Sequence, residues 1–259
     1  WGQWGWYFLR LFLELPDPVE GSPDGVLNVE APGKRLAGNS VTLHFEPAEG
    51  SNVTQVTFYA RYYGFDVDGD SISYEWQGFE ESRFATQGHV GTDSAPPFSV
   101  EWDTSWIPDQ QPGAIAFTAV ASNGSQIRVL EPLEGYSLDR DYSVKLFTAK
   151  SYPFSLVRNG TNFISYVPIP EPYPIGQASD ARFLIRTWNG VNNEQGHTPL
   201  RVNDSEYMED LIVGQNHYYG MDFKAFPVGL LKNGDNRLQA ASTTTHHGCE
   251  ILVPGPAFL

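Results

Sequence analysis

No apolar run in this chain holds helical spacing for long, because glycine and proline keep interrupting it. They fill 25 and 19 of the 259 positions. Glycine supplies turn conformations and proline cannot continue a ladder, so breaks at this density leave room for strands of five to ten residues and little else. Between the breaks, aromatic residues are plentiful, with 16 Phe, 13 Tyr and 7 Trp. Such side chains suit a pleated, half-buried surface. The expected fold class is all-β, and the length is enough for two domains.

From Val26 to about Leu130 the candidate strands are Val26–Val29, Val41–Phe45, Gln55–Tyr63, Ile72–Trp76, Phe98–Trp102, Ala114–Ala121 and Gln126–Leu130. Seven short strands in about a hundred residues fit a sandwich. Within them, Val56-Thr-Phe-Tyr-Ala60, Val90-Gly-Thr92, Ala95-Pro-Pro-Phe-Ser-Val-Glu-Trp-Asp-Thr104 and Phe117-Thr-Ala-Val-Ala-Ser-Asn-Gly124 resemble bacterial-type Ig-like domains. That resemblance implies an Ig-like β-sandwich over residues 26–131 and an extracellular setting. It implies no activity, since such domains serve as spacers, adhesion modules or assembly units.

Residues 132–259 read as a second β-sandwich. Its candidate strands are Tyr142–Thr148, Phe154–Val157, Asn162–Val167, Ala181–Trp188, Leu200–Val202, Tyr218–Phe223, Arg237–Ala241 and Glu250–Val253. Leu231-Lys-Asn-Gly-Asp-Asn236, followed by Arg237-Leu-Gln-Ala240, resembles late strands of galactose-binding-like jelly-roll modules. The resemblance implies a jelly roll, with carbohydrate binding as an option. The proline-alternating stretch Val167–Pro174 is expected to be an exposed, stiff loop.

Residues 1–25 stand apart as an extended apolar strand on a Pro/Gly spacer. In residues 1–15, Trp4, Trp6, Phe8 and Phe12 share one face of an extended strand, and Tyr7, Leu9, Leu11, Leu13 and Leu15 the other. A strand apolar on both faces must be covered on both. Burying six such side chains is worth on the order of 10 kcal/mol gross. The cover is either another part of this chain or a neighbouring copy that receives the segment by β-augmentation; a leader remnant or an interface helix is the third reading. With this apolar leader ahead of two sandwiches, the chain resembles protomers of donor-strand-linked extracellular glycoprotein fibrils. Trp4, Trp6, Tyr7, Phe8, Leu9, Leu11, Phe12 and Leu13 would then form the subunit interface of a homopolymer. A start at Trp1 rather than Met is expected of a processed chain or of part of a longer one. The apolar end at Ala257-Phe-Leu259 likewise hints at a continuation.

A net charge of −15 repels phosphate backbones, so nucleic acid is not an expected partner. No apolar run is long enough for a membrane helix. Sequons at Asn52, Asn123, Asn159 and Asn203 are candidate acceptors of N-linked glycans. Asn123-Gly and Asn159-Gly are expected in exposed turns. The lone cysteine, Cys249, is expected as a small buried apolar residue.

Chemistry-bearing residues are few. Asp66, Asp68 and Asp70 alternate and can converge on a hard cation, with calcium as the cation such a loop would take. Ser71 and Gln77 stand where an EF-hand needs Gly and Glu, which excludes that motif; a plain solvated turn is the alternative. His217, His246, His247 and Cys249 lack metal-ligand spacing. Glu80, Glu81, Asp93, Glu101 and Asp103 supply carboxylates but no recognisable pair. No cofactor and no catalytic residue is expected. Trp76, Trp102, Trp106, Trp188, Tyr218 and Tyr219 are expected mostly in cores, with Trp188 the best candidate for a sugar platform.

The sequence thus supports an extracellular fibril subunit assembled by strand donation. Its alternative is a non-catalytic carbohydrate-binding or spacer region of a secreted polysaccharide-acting enzyme or adhesin. Deleting residues 1–15 separates the origins of the apolar segment's cover. A folded monomer by gel filtration and circular dichroism supports donation, and global unfolding supports an intramolecular strand.

Overall fold

A computed structural model describes residues 21–66, 71–77, 90–150, 156–157, 162–188, 191–192, 196–197, 199–212, 219–241, 249–251 and 257–259. These residues are all-β: their only helical elements are three single 3-10 turns. None of their helices is long and apolar enough to cross a membrane.

The first sandwich contains β1 (Gly25–Val29), β2 (Arg35–Ala37), β3 (Ser40–Pro47), β4 (Gln55–Tyr63), β5 (Tyr74–Gln77), β6 (Gly91–Asp93), β7 (Phe98–Asp103), β8 (Ile115–Ser122), β9 (Ile127–Val129) and β10 (Leu133–Asp139). One sheet runs β1-β3-β7. The other runs β2-β10-β8-β4-β5, with β6 also against β4 and β9 also against β8. Only β2 and β10 pair in parallel; the other pairings are antiparallel.

Alternation explains this core. Val41, Leu43 and Phe45 on β3 face Val56, Phe58, Ala60 and Tyr62 on β4 and Ile115, Phe117, Ala119 and Ala121 on β8. Trp102 lies between the sheets, 5.5 Å from the rings of both Phe117 and Tyr62. Phe117 packs edge-on to Tyr136 of β10 at 5.0 Å. Tyr136 belongs to this core, so the first sandwich runs past the 131/132 division expected from sequence. β10 escaped notice because Gly135 turns to φ +87° and the register with β8 shifts between Leu133 and Tyr136. A bulge of this kind breaks the two-residue period by which strands are read.

The second sandwich faces β13 (Asn162–Ile169), β19 (Gly234–Ala241) and β17 (Leu200–Val202) against a larger sheet. That sheet holds β11 (Phe147–Thr148), β21 (Ala257–Phe258), β14 (Arg182–Trp188), β20 (Cys249–Ile251) and β12 (Leu156–Val157), with β18 (Tyr219–Ala225) on the far side of β14. β15 (Val191–Asn192) and β16 (Gly196–His197) form a small hairpin. Val167, Leu200, Val202, Leu238 and Ala240 pack against Phe183, Ile185 and Phe258.

Two sequence expectations fail in this part. β13 continues through Pro168 to Ile169, with Val167 and Ile169 buried, so the exposed loop begins only at Pro170. Proline is tolerated because β13 is an edge strand. The strand expected from Tyr142 shrinks to Phe147–Thr148, because Val144 spends its backbone on Asp109. The Asp109 N–H donates to Val144 O at 3.0 Å, and the Val144 N–H donates to an Asp109 carboxylate oxygen at 3.0 Å.

Asp109 is the centre of a clasp where the chain leaves the first sandwich. Arg140, its side chain 5% exposed, donates to Thr104 O at 3.1 Å, Ile107 O at 2.6 Å and Asp109 at 3.0 Å. Lys145 and Ser143 donate to the other Asp109 oxygen. Beside the clasp, Trp106 meets Phe223 edge-on at 5.9 Å, and the Arg182 guanidinium lies 4.8 Å over the indole. Phe65, Leu184 and Ala257 form a third buried cluster across the same junction.

Burial alone raises the Asp109 pKa, but hydrogen bonds from Lys145, Ser143, the Val144 N–H and Arg140 outweigh it. They hold the carboxyl well below the usual carboxylate range. A depressed folded-state pKa gives stability that is complete above the unfolded value of about 3.9 and fades as pH falls toward the folded one. The stability advantage of the wild type over Asp109→Asn is therefore expected to be constant above about pH 5 and to shrink on acidification below about pH 4, read by urea unfolding across pH.

Candidate functional site

The outer face of β4 and β8 carries the site. On β4 the residues between the core positions are Gln55, Thr57 and Tyr59; on β8 they are Thr118, Val120 and Ser122. The register sets Gln55 opposite Ser122, Thr57 opposite Val120 and Tyr59 opposite Thr118. Flanking strands extend the rows: Thr92 of β6 pairs with Thr57, while Val129 and Ile127 of β9 pair with Val120 and Ser122. Trp76 of β5 stands opposite Arg61. With Leu130, Glu131 and Pro132 after β9, these residues line a cleft of about 860 Å3.

The floor is fixed by side chains already committed to the fold. Tyr59 and Thr118 are nearly buried, and the Thr118 hydroxyl donates to Leu130 O at 2.7 Å. The Thr92 hydroxyl donates to that of Thr57 at 3.2 Å. Gly91 makes this approach possible, because a Cβ there would stand 2.7 Å from Val100 of the opposing sheet. One lip is apolar and open to solvent: Ile127 is 54% and Val129 50% exposed.

The half-buried Trp76 indole is braced. The Arg61 guanidinium lies 5.4 Å from its ring centre and is itself held by Glu134 of β10 at 3.0 Å. Ala116, opposite Arg61 on β8, is small enough to leave Arg61 a path to β10. Cation–π contact and ion pair together restrict an aromatic side chain that belongs to a short edge strand.

The expected site residues distribute differently. Trp76 lines the cleft. Trp102 is core, Trp106 is at the junction, and Trp188 ends β14 half-buried and outside the cleft lining. Of the three aspartates, Asp68 and Asp70 lie outside the described residues. Asp66 accepts the Ser71 N–H at 2.9 Å. No group of three His, Cys, Asp or Glu able to hold a metal occurs among the described residues. Asp93 accepts the Ser99 and Ala95 N–H groups, which hold its pKa low. Glu101 accepts from Ser40, and Asp103 from Ser105. Glu80, Glu81, His217, His246, His247, Tyr218 and the apolar residues Trp4 to Leu13 lie outside the described residues, as does Asn159. Cys249 opens β20, in register with Val157.

The glycan acceptors also separate. Asn52 is exposed. Asn123 is half-buried rather than free in its turn, its side-chain oxygen accepting the Ser125 and Gln126 N–H groups. Asn203 is turned inward at φ +54°. Its amide donates to Leu230 O at 2.6 Å and to Asn236 at 3.0 Å, and its oxygen accepts the Arg237 N–H at 2.9 Å. A glycan on that nitrogen would have to displace one of its two donor bonds.

Sequence reading passed over Thr57, Tyr59, Thr92, Thr118, Val120, Ser122, Ile127, Val129 and Glu131. A signal was present: β4 and β8 keep hydroxyl-bearing or aromatic residues at the positions that should face water. The pairing that joins the two rows was not visible.

The fold and the cleft define an all-β protein of two sandwiches with an aromatic and hydroxyl-lined trough on one of them. No family model and no curated protein matches the sequence. Among solved structures, it overlaps a β-porphyranase of glycoside hydrolase family 86 from the human gut bacterium Bacteroides plebeius at 12% identity and TM-score 0.34, over 93% of this chain and 37% of that one. It overlaps a structure described for the promiscuous specificity of carbohydrate-binding modules of the β-sandwich superfamily at 9% identity and TM-score 0.27, over 93% and 97% of the two chains. An exo-β-1,3-galactanase from Phanerochaete chrysosporium, bound to galactose, overlaps at 10% identity and TM-score 0.27, over 92% and 68%. This chain spans little more than a third of the porphyranase. Overlaps this loose carry neither a family nor an activity across.

Asn203→Ala is expected to lower the unfolding free energy by about 2 kcal/mol, because the Arg237 N–H and Leu230 O lose their partner. Asn52→Ala is expected to change it by less than about 0.5 kcal/mol. Urea melts of the two variants measure the difference.

Proposed function

We propose that this chain is a non-catalytic, extracellular binding module that seats a glycan chain in the cleft on the outer face of β4 and β8. The observation that carries the reading is the braced Trp76 beside a surface of hydroxyls. A sugar ring presents C–H groups on its faces and hydroxyls around its rim. An indole covers the first, and Thr, Ser, Gln and Tyr side chains pair with the second. Thr57, Thr92, Ser122 and Gln55 supply such partners within one cleft, and Val120, Ile127 and Val129 add apolar cover. The volume falls within the range of about 300–1,000 Å3 usual for ligand pockets.

Glu131 is the one carboxylate among the described lining residues. Glycoside hydrolysis ordinarily uses two, about 5–10 Å apart across the bond that breaks. Head-to-tail assembly through residues 1–15 stays an inference from the sequence, since that segment lies outside the described residues.

A glycan array followed by titration calorimetry tests the reading. Trp76→Ala is expected to weaken binding at least about tenfold, since truncating an aromatic anchor at a binding surface commonly costs about 2 kcal/mol or more, while the urea midpoint stays close to wild type. Binding that survives Trp76→Ala unchanged, or no binding to any glycan, overturns it.

A further inference from the structure

We infer that the cleft selects neutral glycans and rejects acidic ones, with Glu131 as the residue that sets this preference. The inference rests on the cleft being a glycan site and adds the class of glycan. Among the described residues, Glu131 is the only formally charged side chain in the lining, and it is exposed. No hydrogen bond or ion pair offsets it among those residues.

Among the described residues, the arginines of the cleft-forming strands β4 and β9 are already engaged. Arg61, beside Trp76, is paired with Glu134 at 3.0 Å. Arg128 of β9 stands 3.6 Å from Asp24. A uronate or sulfate entering the cleft meets, among the described residues, an uncompensated carboxylate and no free guanidinium, on a chain of net charge −15. A bound neutral sugar meets hydroxyls, one amide and apolar surface, none of which repels it. Two like charges roughly 6 Å apart at an intermediate effective dielectric repel enough to weaken binding about tenfold. Salt screens such an effect, because the cleft opens to solvent.

The test uses the full chain in affinity gels cast with hydroxyethyl or carboxymethyl derivatives of cellulose, galactomannan and curdlan. The hydroxyethyl forms are neutral controls of similar bulk. On any backbone that retards the protein, the carboxymethyl form is expected to bind about tenfold more weakly at about 20 mM NaCl. Glu131→Gln, checked for a wild-type urea midpoint, is expected to narrow that gap to about threefold or less, and so is about 300 mM NaCl. Equal or stronger retardation by the carboxymethyl form overturns the charge preference and leaves the cleft as a glycan site. A gap that Glu131→Gln does not change overturns the role of Glu131 in favour of the general acidic field. No retardation by any neutral form, with no hit on the glycan array, removes the underlying reading and this inference with it.

Discussion

The β4–β8 ladder is the constraint on which both the core and the cleft depend. Its seven antiparallel pairs run from Gln55 with Ser122 to Arg61 with Ala116. Alternate residues leave the sheet on opposite sides, so this one register sends Val56, Phe58 and Ala60 inward with Ala121, Ala119 and Phe117. It sends Thr57 and Tyr59 outward with Val120 and Thr118. A slip of one residue on either strand would put threonines in the core and phenylalanines on the cleft floor. Core packing therefore fixes the site: the free energy that buries Phe58 and Phe117 also holds the cleft's hydroxyls in line.

The flanking strands add what the ladder lacks. β5 contributes the indole, β6 a further hydroxyl and β9 the apolar lip. Each is only three or four residues long. Strands so short have little stability of their own, and each is held by a specific tie. Arg61 and Glu134 tie Trp76 across the sheet, Gly91 admits β6 against Val100, and the Thr118 hydroxyl fixes the chain just after β9 through Leu130. The site is thus a rigid floor with individually fastened walls, an arrangement that limits the ordering cost of binding a ligand.

The second sandwich meets the first through chemistry of a different kind. Asp109 gathers Arg140, Lys145, Ser143 and the Val144 backbone at the point where the chain passes from one sandwich to the other. Because Arg140 is almost fully buried, its charge has to be met within the protein, and three carbonyl or carboxylate partners meet it. The stacked Arg182, Trp106 and Phe223 and the cluster around Phe65 and Leu184 add apolar cover to that polar clasp. The junction lies away from the cleft lining, and none of its residues takes part in the site.

The amino-acid sequence by itself determined the all-β class and placed many of the strands, because turn residues and two-residue alternation are local properties of a chain. Gln55–Tyr63 and Leu200–Val202 stand where the pattern put them. It named both Trp76 and Trp188 as aromatic candidates and put Trp188 first, since both are tryptophans near strand ends and composition does not tell which of them lines the cleft. It missed β10, whose glycine bulge hides the period, and it ended the Asn162 strand at Val167 because proline masks the continuation of an edge strand. Tertiary structure alone decided that Thr57, Thr92, Thr118 and Ser122 share one surface and that the Asn203 amide is spent inside the fold. It also decided that Glu131 is the one charged side chain among the described cleft-lining residues. These are facts of long-range pairing and of which partner a charge or amide finds, and no local pattern of residues encodes them.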